Sequence, residues 1–185
     1  MKVKICGLTR PEDIAAVNRC LPDYVGFVFA PSQRRVTLEQ AKQLHTKLDP
    51  RVQSVGVFVH ASLDDIAQAS EFLNLIQLHG NESEAFVQQV KNLYSLPVIK
   101  LGRCDAADYN LFDGPNPGSG QAFDWNMISC YNKPYFLAGG LTLKNITQAA
   151  AHKPYCLDVS SGVETGGVKD AEKIMQFVSQ VRRLT

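Results

Sequence analysis

Residues 3–29, VKICGLTRPEDIAAVNRCLPDYVGFVF, decide the fold. An apolar run, Val3–Cys6, is followed by Thr9-Arg10-Pro11 and a segment of helical period, Glu12–Arg19. A second apolar run, Tyr24–Phe29, closes the unit. Thr9 is a hydroxyl N-cap candidate, and Pro11 suits a first helical turn. Neither apolar run alternates cleanly with polar residues, as expected of parallel strands covered on both faces.

The same unit recurs along the chain. Further strand candidates are Ser54–Val59, Leu75–His79, Val98–Leu101, Tyr109–Asp113, Tyr135–Ala138 and Cys156–Val159. Helix candidates are Leu38–Leu48 after Thr37, Leu63–Phe72 after Ser62, Glu84–Leu93 after Ser83, and Trp125–Tyr131 after Asp124. Leu143–Ala151 after Thr142 and Ala171–Leu184 after Asp170 complete the set. Strand–helix alternation predicts an α/β fold with a parallel sheet. Eight strands favour a closed (β/α)₈ barrel of the TIM type. An open doubly wound sheet is the alternative, but the Rossmann glycine fingerprint is missing after Val3–Cys6. Residues 1–185 are expected to form a single barrel domain.

One unit is irregular. Only Gly102-Arg103-Cys104-Asp105-Ala106-Ala107-Asp108 joins the fifth strand to the sixth. Parallel crossovers normally take a dozen residues or more. The prediction is a barrel with seven main helices, the one between strands five and six being reduced to an extended link. If Tyr109–Asp113 is not a strand, the link is longer and that prediction falls.

Nineteen basic and eighteen acidic residues give a net charge of +1, with 45% hydrophobic residues. This composition excludes a disordered chain and offers no electrostatic reason for nucleic acid or an anionic membrane as partner. No apolar run is long enough to span a bilayer, and the Met1–Gly7 start lacks a signal peptide's apolar stretch. Cysteines at 6, 20, 104, 130 and 156 are odd in number and irregular in spacing. They predict neither disulfides nor zinc, but a reducing cytoplasmic setting with most thiols in the core.

Barrel active sites lie at the carboxyl ends of the strands. There the sequence offers Cys6, Ser32, Arg34, Arg35, His60, His79, Asp113, Gly139, Gly140, Asp158, Ser160, Ser161 and Gly162. Ala138-Gly139-Gly140-Leu141-Thr142 opens a helix candidate after strand seven, and Ser160-Ser161-Gly162-Val163-Glu164 follows strand eight. Such loops expose backbone N–H groups to an anion, and in barrels this is a usual phosphate position. The glycines of either loop could instead serve only a tight turn. Cys6 can be a general base or core filler. Asp124, in Ala122-Phe123-Asp124-Trp125, can be a helix cap as well as an acid.

Four segments stand out in the first half of the chain: Lys4-Ile5-Cys6-Gly7-Leu8-Thr9-Arg10, Val25-Gly26-Phe27-Val28-Phe29, Val55-Gly56-Val57-Phe58-Val59 and Ile76-Gln77-Leu78-His79-Gly80. Gly118-Ser119-Gly120, Phe123-Asp124-Trp125, Ala138-Gly139-Gly140-Leu141 and Asp158-Val159-Ser160-Ser161-Gly162-Val163-Glu164 follow. Taken together and in this order, these segments resemble the phosphoribosylanthranilate isomerase family. The resemblance implies an isomerase of tryptophan biosynthesis. It would convert N-(5′-phosphoribosyl)anthranilate into the 1-deoxyribulose 5-phosphate product by an Amadori rearrangement, with no metal or organic cofactor. It implies Cys6 as general base and Asp124 as general acid. Arg34, of Ser32-Gln33-Arg34, would grip the anthranilate carboxylate. Arg35 adjoins it in a loop slightly shorter than common members carry. Gly139, Gly140, Ser160, Ser161 and Gly162 would hold phosphate, and Asp158 would lie near the ribose hydroxyls. His79 belongs to a family motif without an assigned role. The implied partner is a small phosphosugar, with the chain a monomer or homodimer. Other ribose-phosphate barrel enzymes, or a non-catalytic phosphosugar-binding barrel, are the competing readings. The short link before Tyr109 departs from the family, whose typical members carry a full helix there.

Overall fold

Eight parallel strands close into a barrel in chain order in the computed structural model, which describes residues 1–114, 125–128 and 131–184. The strands are β1 (Lys2–Cys6), β2 (Tyr24–Val28), β3 (Gln53–Phe58), β4 (Leu75–Leu78), β5 (Val98–Leu101), β6 (Tyr109–Phe112), β7 (Tyr135–Leu137) and β8 (Cys156–Val159). β1 pairs with both β2 and β8, so the sheet has no edge strand. The helices are α1 (Pro11–Cys20), α2 (Leu38–His45), α3 (Leu63–Ser70), α4 (Glu84–Tyr94), α5 (Ile146–Ala151) and α6 (Ala171–Arg183).

Most helix starts follow from side-chain caps. Thr37, Ser62 and Ser83 accept from the backbone N–H three residues on, and Asp170 accepts from Glu172 and Lys173. The start of α1 corrects the expectation from Thr9. Arg10 is the N-cap, and the Asp13 carboxylate accepts the backbone N–H groups of Thr9 and Arg10. Asp13 is buried, and its carboxylate satisfies two backbone donors at the start of the helix.

Among the described residues there are six α-helices rather than seven. The expected helix Trp125–Tyr131 is a 3₁₀ turn, Trp125–Ile128, and residues 129–130 lie outside the described part. Trp125 and Ile128 are both buried. Residues three apart eclipse in a 3₁₀ turn, so one short turn seats both anchors. The helix after β7 begins at Ile146 rather than Leu143. A turn over residues 143–145 comes first, in which Asn145 Oδ1 accepts the Thr142 N–H and Asn145 Nδ2 donates to the Gly140 carbonyl.

Residues 102–108 carry no helix. The link is fixed by hydrogen bonds at both ends: Gly102 N–H to Leu111 O, Asp108 N–H to Val98 O, and Asn110 Nδ2 to Cys104 O. Cys104 and Ala107 are buried against the strands, in the layer that helices occupy elsewhere.

Two cores result. One lies between the strands and the surrounding helices. The other fills the barrel, where Tyr24, Val55, Leu75, Ile99, Leu111, Phe136 and Cys156 pack together. Above this apolar layer the inward positions turn polar. Lys4 of β1 donates to Asp158 Oδ2 of β8 at 2.7 Å and to Gln77 Oε1 of β4 at 2.8 Å. All three are buried. This polar tier separates the apolar floor from the carboxyl end of the barrel. A two-residue hairpin, β9 (Glu164–Thr165) with β10 (Val168–Lys169), follows the 3₁₀ turn Ser161–Val163 beyond β8.

Candidate active site

Strand β1 carries Lys4 and Cys6 two residues apart, and the period of two puts both on the inward face. Above the polar tier lies a cavity of about 270 Å³. Cys6, Arg34, His79, Asp113, Gly139, Gly140, Asp158, Ser160 and Ser161 contribute to its wall, so most of the expected site converges on one space. Asp124 lies outside the described residues. Arg35 is exposed and lines a separate cavity between the loops after β2 and β3. Gly162 is not in the wall. A Cβ there would stand 1.8 Å from the Leu141 carbonyl oxygen, so glycine is required where the loops after β7 and β8 cross.

Gly139 and Gly140 have φ values of 82° and 63°. Both values are open to glycine without strain, and glycine-rich turns at strand ends are among the backbone arrangements that receive anions. Among the described residues, nothing accepts from either N–H. The six-residue α5 begins only at Ile146, which corrects the expectation that this loop opens a helix directly. Ser160 Oγ donates to the Cys6 carbonyl, tying the loop after β8 to the end of β1.

Electrostatics at the base of the cavity centre on Lys4. Burial opposes its charge, but the Asp158 carboxylate and the Cys6 sulfur together outweigh that and hold the ammonium well above its ordinary pKa. Burial pushes the Cys6 thiol up, with Lys4 pulling in the opposite direction. Asp158 Oδ1 is buried and has no hydrogen-bond partner among the described residues. It is an acceptor on a cavity-lining residue, suited to a hydroxyl-bearing ligand. On the far wall, His79 Nδ1 meets Gln77 Nε2 at 2.9 Å, and His79 Nε2 lies 3.5 Å from Asp113 Oδ2. His79 thus continues the polar tier into the wall.

Arg34 is held from the loop after β8. Its Nε and Nη2 donate to the two carboxylate oxygens of Glu164 at 2.7 and 2.8 Å. The arginine stem passes over Gly7, where a Cβ would come within 2.5 Å of Arg34 Cδ. Sequence reasoning does not single out Lys4, Gln77, Glu164 or Lys169. For Lys4 a signal exists: a lysine inside an otherwise apolar strand, in register with the cysteine two residues on.

A closed parallel barrel with two glycine-bearing loops and a half-buried thiol at the carboxyl ends of its strands has the layout of a barrel enzyme acting on a small anionic substrate. A sequence model of the family described as N-(5'phosphoribosyl)anthranilate (PRA) isomerase matches residues 3–180, and the chain belongs to that family. The N-(5'-phosphoribosyl)anthranilate isomerase of Endomicrobium trichonymphae is 43% identical over 198 aligned positions, covering 99% of both chains. The crystal structure of the phosphoribosyl anthranilate isomerase from Thermus thermophilus superposes with a TM-score of 0.91 at 35% identity, covering 100% of each chain. A phosphoribosyl anthranilate isomerase crystallised with reduced 1-(o-carboxyphenylamino)-1-deoxyribulose 5-phosphate superposes with a TM-score of 0.85 at 32% identity, over 99% of each chain.

Proposed function

We propose that residues 1–185 act as one barrel domain that isomerises N-(5′-phosphoribosyl)anthranilate to the corresponding aminoketose, 1-(2-carboxyphenylamino)-1-deoxyribulose 5-phosphate. The observation that carries the reading is the convergence of Cys6, Arg34, Asp158 and both anion-ready loops on one cavity. The substrate has an anion at each end and a sugar between them, and the cavity offers grips in the same order.

The residues then divide as follows. Gly139, Gly140, Ser160 and Ser161 take the phosphate, with Gly162 letting their two loops meet. Arg34 takes the anthranilate carboxylate through its planar fork. Asp158 Oδ1 accepts from a ribose hydroxyl. Asp124 gives a proton to the ring oxygen as the C1′–O bond breaks, leaving an iminium at C1′. The Cys6 thiolate removes the C2′ proton, and the electron pair forms the enolamine. Protonation at C1′ on tautomerisation yields the ketone. General acid and base each contribute about 10²–10⁴-fold in such reactions, and the two grips hold the reacting carbon between them. The thiol is a minority thiolate near neutral pH because burial opposes its charge, and Lys4 enlarges that fraction. The setting this implies is cytoplasmic, with a small phosphosugar as partner; no helix of the described residues is long and apolar enough to cross a membrane.

The choice of arginine is testable by steady-state kinetics. Arg34→Ala should raise KM by at least about tenfold, the value of one charge-assisted pair, while Arg35→Ala should leave KM within about twofold. The reverse pattern would overturn the assignment.

A further inference from the structure

Glu164 and Lys169 lie beyond the residues to which chemistry has been assigned, yet both are nearly closed off from solvent. Their side chains are 7% and 2% exposed. Glu164 accepts from Arg34 and forms a close ion pair with Lys169. Lys169 also donates to the Ser160 carbonyl at 3.1 Å and to Ser160 Oγ at 3.3 Å. Ser160 Oγ in turn donates to the Cys6 carbonyl at 3.0 Å. One chain of contacts therefore runs from the arginine of the β2 loop, through the hairpin after β8, to the end of β1.

A guanidinium has two edges that can each bind a carboxylate with parallel N–H bonds, Nε/Nη2 and Nη1/Nη2. Glu164 occupies the first edge of Arg34. Among the described residues, nothing accepts from Nη1, so the second edge is free on a residue that lines the cavity. A lone Arg–Glu pair would be electrically neutral. Lys169 adds a second cation to the same carboxylate, so the trio keeps one net positive charge for an incoming anion. Burial pulls the Lys169 pKa down while Glu164 opposes this. The arginine's stem lies against the Gly7 backbone, in space that any side chain there would take. Fixing a rotamer-rich side chain in advance lowers the ordering cost at the moment of binding.

We propose that Glu164 and Lys169 are positioning residues that commit one edge of the Arg34 guanidinium and present the other to a carboxylate, making the cavity selective for ribose phosphates whose attached group is carboxylated. The proposal rests on Arg34 being the carboxylate grip. The test uses Glu164→Gln in the full chain, with free anthranilate and inorganic phosphate as competing inhibitors. The substitution keeps the side chain's shape but frees the arginine. Anthranilate inhibition should weaken about tenfold, phosphate inhibition should change less than twofold, and KM should rise more than kcat falls. Pure attraction predicts the opposite sign, since the site gains positive charge. Unchanged or tighter anthranilate inhibition would overturn the proposal, as would equal weakening of both inhibitors. If Glu164→Gln does not fold, Glu164→Asp keeps the charge and moves the fork, and the same anthranilate-only loss is expected. Arg34→Ala separates the two levels. If it leaves anthranilate inhibition intact, the reading of Arg34 itself fails. If it abolishes that inhibition while Glu164→Gln does not weaken it, only the positioning role fails.

Discussion

Replacing Lys4 by Met should expose how the barrel carries charge in its interior. Lys4 is 0% exposed, and its ammonium is the cation that pairs with Asp158. Methionine fills nearly the same length without charge. Asp158 would keep its buried carboxylate, lose the 2.7 Å bond to Oδ2, and still have no partner for Oδ1 among the described residues. Gln77 Oε1 would lose its 2.8 Å donor. Breaking a buried pair from one side costs about 3–5 kcal/mol, because the surviving charge is uncompensated. At about 2–4 °C per kcal/mol for a chain of this size, Tm should fall by about 6–20 °C. The pH dependence has a definite sign. Burial already raises the Asp158 pKa, with Lys4 as the main opposing influence. Without Lys4 the folded-state pKa rises further above the unfolded value. Protonation then favours the folded variant, so its deficit against the parent is widest at neutral pH and narrows as pH falls through that raised pKa. Urea unfolding of Lys4→Met and of Lys4→Met/Asp158→Asn at pH 7 and pH 5 would measure this. The double variant should recover at least half of the loss. A single-variant cost below about 1 kcal/mol, or a double variant no more stable than the single, would refute the reasoning.

Two further outcomes follow from the same geometry. Alkylation of Cys6 by iodoacetamide, read by mass spectrometry, should accelerate with rising pH through a midpoint above that of a free thiol, since burial raises the pKa. Lys4→Met should move that midpoint higher still; a downward move would contradict the role given to Lys4. Gly162→Ala places a Cβ 1.8 Å from the Leu141 carbonyl oxygen, forcing two backbones apart. KM and the inhibition constant for inorganic phosphate should each rise by at least about tenfold, as misplacement of a binding element on this scale implies. Unchanged values would mean that the loops after β7 and β8 do not hold phosphate.

Much of this architecture is legible in the sequence because parallel barrel strands are covered on both faces. Runs such as Val98–Leu101 and Cys156–Val159 appear at their observed bounds. Helix starts are legible where a hydroxyl or carboxylate caps its own helix, as at Thr37, Ser62 and Asp170. They are not where the cap comes from inside the helix, as with Asp13, or where a side chain builds a turn first, as with Asn145. The hairpin 164–169 escaped because two-residue strands carry no hydrophobic period. The site shows the same division. Cys6, Arg34 and the glycine loops sit at strand ends, which the alternating pattern locates. The pairings that set their state are not legible, because Lys4 and Asp158 are 154 residues apart and Arg34 and Glu164 are 130 apart. Such pairs meet only once the ring closes β1 against β8.

The most direct measurement is turnover of phosphoribosylanthranilate by the purified chain, followed by the fluorescence of the substrate, for the parent and for Cys6→Ser. The account predicts saturable consumption by the parent, and a fall of at least about a hundredfold in kcat when the thiol is replaced, the lower bound for loss of a positioned general base. No consumption above the uncatalysed rate by the folded parent, or near-parental kcat in Cys6→Ser, would contradict it.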